Sequence, residues 1–487
     1  PGHGGAPGRG APSRRAGGFS GHSGGVVVYF GSMRTERDSL GAVEVPDDAL
    51  YGIHVQRALG NFGAGGRAVR PELIRAFAVV KKACALAHRE LGALPADVAD
   101  AIAAACDDVS AGKHAEAFPV DALQGGAGTS TNMNVNEVLA NLALLRLGGR
   151  PGDPARVHPL DHVNRGQSTN DVYPTALRIA AIRLVRELAD ALAQLQEALQ
   201  RREREFADVP KLGRTQLMDA APIALGQEFG AWAQAIARDR WRIYKVEERL
   251  RQINLGGTAV GTGAAADKRY VFRVAEILRE LTGLGLARAE DPLDPTQNQD
   301  VFVETSGLLK ACAVDLLKIT GDLRLLNSGP RGGLGEIRLE ARQVGSSLMP
   351  GKVNPVIPEH VAQCALRAIA NDAAITLAAA SGQLELNAFL PLIADALLES
   401  LALLRDATTI LRARCIETLE ADAAACARHL YASTAPALLL VPELGYDAAA
   451  ALAKEALASG KSIRQLVGEK KLLPPERIER LFPEPLP

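Results

Sequence analysis

"TALRIAAIRLVRELADALAQLQEALQRREREF", residues 175–206, decides the architecture. Leu177, Leu184, Leu188, Leu192, Leu195 and Leu199 recur at spacings of three, four or seven. That spacing puts every one of them on one face of a helix. At 1.5 Å per residue such a helix is roughly 48 Å long. Comparable runs are read at about 222–252, 300–327, 358–380, 389–413 and 416–429. Several helices of this length imply a bundle larger than one small domain. The expected class is therefore mainly all-α, with a central long-helix bundle. Strand-like pieces are few and short, near 25–30 and 41–45.

The chain has 487 residues, 47% of them hydrophobic, and a formal net charge of −1. It can bury a large core. A near-neutral balance argues against a nucleic-acid or membrane-surface partner. No apolar run, "PALLLV" at 436–441 included, is long enough to span a bilayer. The six cysteines form no CxxC pair, and most sit in Ala/Leu-rich runs, so they read as structural thiols in a reduced, cytoplasmic compartment. Residues 1–32 are rich in Gly, Pro, Ser and Arg and are expected to be a disordered tail or leader.

Four polar stretches interrupt the helices: "QGGAGTSTNMNVNE" (124–137), "HVNRGQSTNDVYP" (162–174), "KLGRTQLMDAAP" (211–222) and "GSSLMPGKVNP" (345–355). All four are read as loops, and each precedes a plausible helix start. Any one alone fits capping and turn chemistry. Together, their hydroxyls, amides and helix N-termini form a binding set for anions, carboxylates in particular. In the last stretch Gly345 and Gly351 bracket Ser346 and Ser347. Lys352 and Asn354 stand two apart on a proline-held segment, where i and i+2 point the same way and can grip one carboxylate. No GxSxG elbow accompanies the serines, so an esterase triad is poorly supported. "SGPRGGLGEI" (328–337) is glycine-rich but has no phosphate-loop lysine. His158 and His162 are four apart without an acidic partner pattern, so no metal site is expected.

The serine stretch resembles the signature loop of the aspartase/fumarase superfamily. "LYGIHVQRALGNF", "GTSTNMNVNEVLAN", "GQSTNDVYPTALRIA", "GRTQLMDAAPIALGQEF", "INLGGTAVGTG", "SGPRGGLGEI", "GQLELN" and "GYDAAAALAKEA" are similar to further family segments, in the family's order, from about Met33 to the C-terminus. The resemblance implies a three-domain subunit, divided at 33–169, 170–421 and 422–487, in a homotetramer with a shared helical core. It implies elimination across a Cα–Cβ bond that releases fumarate, with neither cofactor nor metal. Ser346 would be the base. Thr129, Ser130, Ser168, Thr169 and Ser347 would donate to the substrate, Lys352 and Asn354 would hold its α-carboxylate, and Asn170, Thr215 and Gln216 its leaving group. Glu359 would orient Gln216. Three subunits would contribute to each site: Thr129, Ser168 and Asn170 from one, Thr215 and Gln216 from a second, the Ser346–Asn354 loop from a third.

Within the superfamily, Ala127, Gln216, "GQLELN" and "KVNPVIPE" look more like the ammonia-lyases acting on aspartate than like fumarases, which usually carry Ser and His at the first two places. A substrate ammonium already holds its leaving proton, whereas hydroxide leaving malate needs an acid that Gln216 cannot supply. A class II-type fumarase, a lyase for a modified aspartate and a catalytically dead homologue are the alternatives. Leu160 stands where the family usually has Asn, which bears only on a secondary anion site.

Overall fold

The computed structural model describes residues 32–482; the expected tail and the strand-like piece near 25–30 lie outside them, Ser32 apart. A hairpin of β1 (Met33–Asp38) and β2 (Gly41–Pro46) leads into α1 (Ile53–Asn61), α2 (Pro71–Glu90), α3 (Ala96–Ser110) and α4 (Thr129–Arg146). Then comes α5, Thr169–Glu205, a 37-residue helix about 55 Å long at 1.5 Å per residue.

The leucine stripe is buried along its whole length. Each fully buried leucine contributes about 1.5–3 kcal/mol of transfer free energy. The helix begins six residues before the stretch that predicts it and runs through Pro174. A proline cannot donate to the carbonyl four residues back. Here the Asn254 side-chain amide donates to that carbonyl, Asn170 O, at 3.0 Å, so the proline leaves no orphaned acceptor. Ser168 caps the helix: its Oγ accepts from Asn170 N, and Asp171 Oδ1 accepts from Ser168 N at 3.0 Å.

After α5 the chain forms β3 (Pro210–Thr215) and β4 (Met218–Ala224), then α6 (Leu225–Leu250). The short strands β5 (Gln252–Ile253) and β6 (Ala287–Arg288) flank α7 (Lys268–Thr282). The helices α8 (Leu293–Gln297) and α9 (Asp300–Leu326), the strand β7 (Ile337–Arg338), and α10 (Val356–Ala380) and α11 (Leu390–Leu411) follow. In the bundle α5 packs on α6 and α11, α9 packs on α6 and α10, and α10 packs on α11. One continuous apolar core runs from Val45 to Leu419. A second gathers Ala437, Leu440, Leu452, Ile463, Leu466 and Phe482.

Several expectations are corrected. Of the stretches read as loops, 124–137 is helical from Thr129 onward and 162–174 from Thr169 onward, because Gly128 and Ser168 start α4 and α5 inside them. The stretch 211–222 is not a loop but most of an antiparallel hairpin, with Thr215 paired to Met218. The run at 416–429 is not one helix. A π-helical turn over Arg412–Ile416 extends α11, β8 (Glu420–Ala421) pairs with β7, and α12 spans Ala423–Ala432. Asp422 Oδ1 accepts from Ala425 N at 2.8 Å and so restarts the helix at Ala423. All six cysteines are free and buried, and burial pushes the Cys84 thiol up to about 12, so it stays protonated. Among the described residues no helix is long and apolar enough to cross a membrane.

Candidate active site

The candidate residues fall at the two ends of α5. At its N-terminal end, Gly126, Ala127 and Gly128 all have positive φ and turn the chain into α4. Position 128 has to be glycine, since a Cβ there would lie 2.3 Å from the Tyr173 ring. Thr129 is the first residue of α4, and its hydroxyl donates to Gly126 O at 2.7 Å. Ser130 is buried, with Oγ 3.5 Å from His54 Nε2. Burial lowers the His54 pKa, which favours the neutral ring.

Beside this turn lies the segment that opens α5. Its support is a buried amide network. Asn164 Oδ1 accepts from Lys81 Nζ at 2.9 Å and from Asn132 and Asn136, each at 3.1 Å. Lys81 also donates to Gln167 Oε1 at 2.8 Å. Asn132 Nδ2 donates to Thr169 Oγ1 at 3.1 Å, which leaves the threonine proton free for an anion. One N–H of Asn170 Nδ2 donates to Ala259 O at 2.7 Å, while Asn170 Oδ1 is left as an acceptor. Asp171 Oδ2 takes the amides of Gly256 and Thr258, each at 3.0 Å, and so fixes the loop that supplies Ala259.

Lys81, Asn132, Asn164, Gln167 and Asp171 are not among the residues the motifs single out. Two signals mark them. A lysine stands on the core face of α2, and asparagines, poor helix formers, stand inside α4. Burial pushes the Lys81 ammonium down to about 8, against the opposing pull of Asp171. The Asn164 and Gln167 amide oxygens hold that ammonium, so its positive charge sits against the segment that opens α5. Its charge is present below that pKa and is lost as pH rises through it. Binding of succinate should therefore weaken as pH passes about 8. A succinate inhibition constant that stays flat through that range would remove the lysine charge from the account.

At the C-terminal end of α5, the β3–β4 hairpin turns through Gln216 and Leu217, with φ of 53° and 64°. Two left-handed residues in succession are the pattern of a type I′ turn, without the Asn-Gly that usually makes one. Thr215 and Gln216 stand exposed at the tip, beside Leu217 at 74% and Met218 at 69% exposure.

The serine loop lies at this end too. Arg342, just before it, donates to Arg414 O, and Arg202 near the end of α5 donates to Ile416 O. The loop is closed by Gly345 N on Lys352 O at 2.9 Å and by Asn354 Nδ2 on Gly345 O at 2.6 Å. Within this chain, then, Asn354 holds the loop shut. Ser346 Oγ accepts from Leu348 N at 3.1 Å and Met349 N at 2.9 Å. Two amides aimed at one hydroxyl oxygen favour its anion. The side chains of Ser347 and Lys352 are exposed and make no hydrogen bond or ion pair with a described residue. Glu359 lies 4.0 Å from Arg324 and makes no contact with Gln216 of its own chain. Thr129, Ser130, Ser168, Thr169 and Asn170 are thus gathered at one end of a helix about 55 Å long. Thr215, Gln216, Ser346, Ser347, Lys352 and Asn354 stand at the other.

A hydroxyl held by amides, a free cation and a set of hydroxyl donors are the parts of an elimination site acting on a carboxylate. The family model described as lyase matches residues 41–370, and that described as fumarase C C-terminus matches 439–483. The aspartate ammonia-lyase of Escherichia coli is 44% identical over 93% of this chain and 95% of its own length. That of Pseudomonas aeruginosa is 47% identical over 91% and 94%. Among solved structures, a fumarate lyase:delta crystallin from Brucella melitensis, bound to cobalt, superposes with a TM-score of 0.89 at 47% identity, covering 93% of this chain and 98% of that one. A class II fumarase from Schistosoma mansoni gives 0.87 at 33% identity, with the same coverage. Fold and site define a helical-bundle lyase. The chain belongs to the aspartase/fumarase superfamily.

Proposed function

We propose that this lyase is an aspartate ammonia-lyase, converting L-aspartate reversibly to fumarate and ammonia. The observation that carries this reading is the leaving-group end. Asn170 presents a free amide oxygen, the polarity an ammonium needs, and Gln216 offers an amide where hydroxide loss would need an acid. The named relatives agree with it.

Ser346 removes the β-proton as its alkoxide, which the Leu348 and Met349 amides favour. The electron pair passes into the β-carboxylate, giving a dianionic aci-carboxylate. Ser168, Thr169 and Ser347 donate to it, and Thr129, with Ser130 buried beside it, joins them once its hydroxyl exchanges Gly126 O for substrate. Stabilising such developing charge is usually the largest catalytic contribution. The pair then returns to form the double bond as the C–N bond breaks. Lys352 and Asn354 hold the α-carboxylate once Asn354 exchanges its loop contact for substrate. Asn170, Thr215 and Gln216 hold the amine, with Glu359 orienting Gln216 from another chain.

Each site then takes residues from three chains of a homotetramer. The separation of the two donor groups along α5 supports this. So do the uncovered apolar side chains on the bundle, among them Trp241 and Tyr244 on α6, Val314 on α9 and Leu377 on α10. We read the subunit as three domains, 33–169, 170–421 and 422–487, and its compartment as cytoplasmic.

Purified protein with L-aspartate should produce fumarate, followed by its ultraviolet absorbance, and should leave L-malate essentially untouched. Rapid malate turnover with none of aspartate would make it a fumarase. Turnover of neither would favour a modified aspartate or a non-catalytic use of the fold.

A further inference from the structure

The glycine-rich stretch 328–337 has no part in the chemistry above, yet it folds into a tight knot. A Cβ on Gly333 would meet Ser328 O at 2.5 Å. Leu334 N donates to Ser328 Oγ at 3.0 Å, Gly335 N to Ser328 O at 2.8 Å, and Glu336 N to Leu326 O at 2.8 Å. What the knot delivers is the Glu336 side chain, with no exposure at all, into the interior.

Three side chains from two separate segments meet this carboxylate. Arg214 NH1 of β3 reaches Oε1 at 2.9 Å, and His429 Nδ1 of α12 reaches the same oxygen at 2.9 Å. Lys211 Nζ of β3 lies 3.2 Å from Oε2 and 2.7 Å from Glu228 Oε1 on α6. The 3.2 Å approach is too poorly angled for a hydrogen bond, since Glu336 Oε2 has no such partner; it acts as an ion pair. Two carboxylates thus face two fixed cations and an imidazole. Burial works against the Glu336 charge, but His429, Lys211 and Arg214 outweigh it and hold the carboxyl below its usual range.

The hairpin needs such an anchor. A two-stranded ribbon is marginal alone, and among the described residues β3 and β4 pair with no third strand. Its apolar seat is small: Leu212 packs with Leu430 and Ala435. Arg214, the residue before Thr215, reaches Glu336 directly. We propose that Glu336 is a positioning residue for the leaving-group end of the site, fixing the hairpin that carries Thr215 and Gln216. This rests on the reading that those two residues hold the substrate amine.

The test uses two ligands. Aspartate has the amine, while succinate is the same dicarboxylate without it. In the intact tetramer, Glu336→Gln should lower kcat/KM for aspartate by about tenfold or more, as misplacement of a binding group does, and leave the succinate inhibition constant within about twofold. Arg214→Gln should show the same selectivity and carries the test if Glu336→Gln does not fold. Glu336→Asp, which keeps the charge, should recover part of the loss. Equal losses for both ligands, or none, would overturn the proposal. Gln216→Ala is the control for the underlying reading. If it weakens aspartate and succinate alike, the amine assignment itself fails, whatever Glu336 does.

Discussion

Ser346→Ala is expected to lower kcat by several orders of magnitude while the fold and assembly stay intact. The side chain packs against nothing that would be missed: it sits on a loop whose neighbours Leu348 and Met349 are exposed. Its hydroxyl accepts two backbone amides, and the loop keeps its Gly345–Lys352 and Asn354–Gly345 closures without it. The loss should therefore fall on the chemical step alone, as when a group needed only in the transition state is removed. Circular dichroism and sizing establish that the protein is intact, and steady-state kinetics give the effect. An alanine variant that keeps more than about a tenth of kcat would show that Ser346 is not the base.

Mixing two inactive variants should restore activity. In one chain Thr129 and Ser346 stand at opposite ends of a helix of 37 residues, about 55 Å long, and no bending of a straight packed helix unites them. Sites shared between copies remove the difficulty, because one end of a subunit can meet the other end of its neighbour. Thr129→Ala and Ser346→Ala, denatured and refolded together in equal amounts, should regain about a quarter of the wild-type sites if assembly is random. That fraction follows if each site draws the two residues from different chains, each intact half the time. Were both residues drawn from one chain, every site would carry a lesion. Mixed tetramers as inactive as their parents would sink the shared-site arrangement.

Much of the molecule can be read from its sequence because the deciding signals are local. Leucines at helical spacing commit 175–206 to a buried helix wherever it packs. The capping residues of "STND" and the glycine-bounded serine loop are equally local. Local signals fail where a distant group settles the outcome. The stretch that predicts α5 begins only after Pro174, yet the helix runs through that proline, and Asn254 satisfies the carbonyl it strands. The stretch 211–222 lacks alternation and a favoured turn pair. It is a hairpin whose Lys211 and Arg214 meet the buried Glu336 carboxylate, more than a hundred residues away. The Ala-rich run at 416–429 has helical spacing, yet pairing of β8 with β7 interrupts it.

The sequence by itself determined the helical class, the chemical types gathered in the four polar stretches, and the residues that carry the resemblance. Only the tertiary structure decided that these residues stand in two groups at opposite ends of one helix. Only it showed that a lysine and three asparagines lie beneath the donor loop, and that Glu336 meets Lys211 and Arg214 of the hairpin. The physical reason is that a side chain's type and its place along the chain are written in order. The placing of the buried amides and of the Glu336 carboxylate depends on partners far along the chain, such as Asn136 with Asn164 and Lys211 with Glu336.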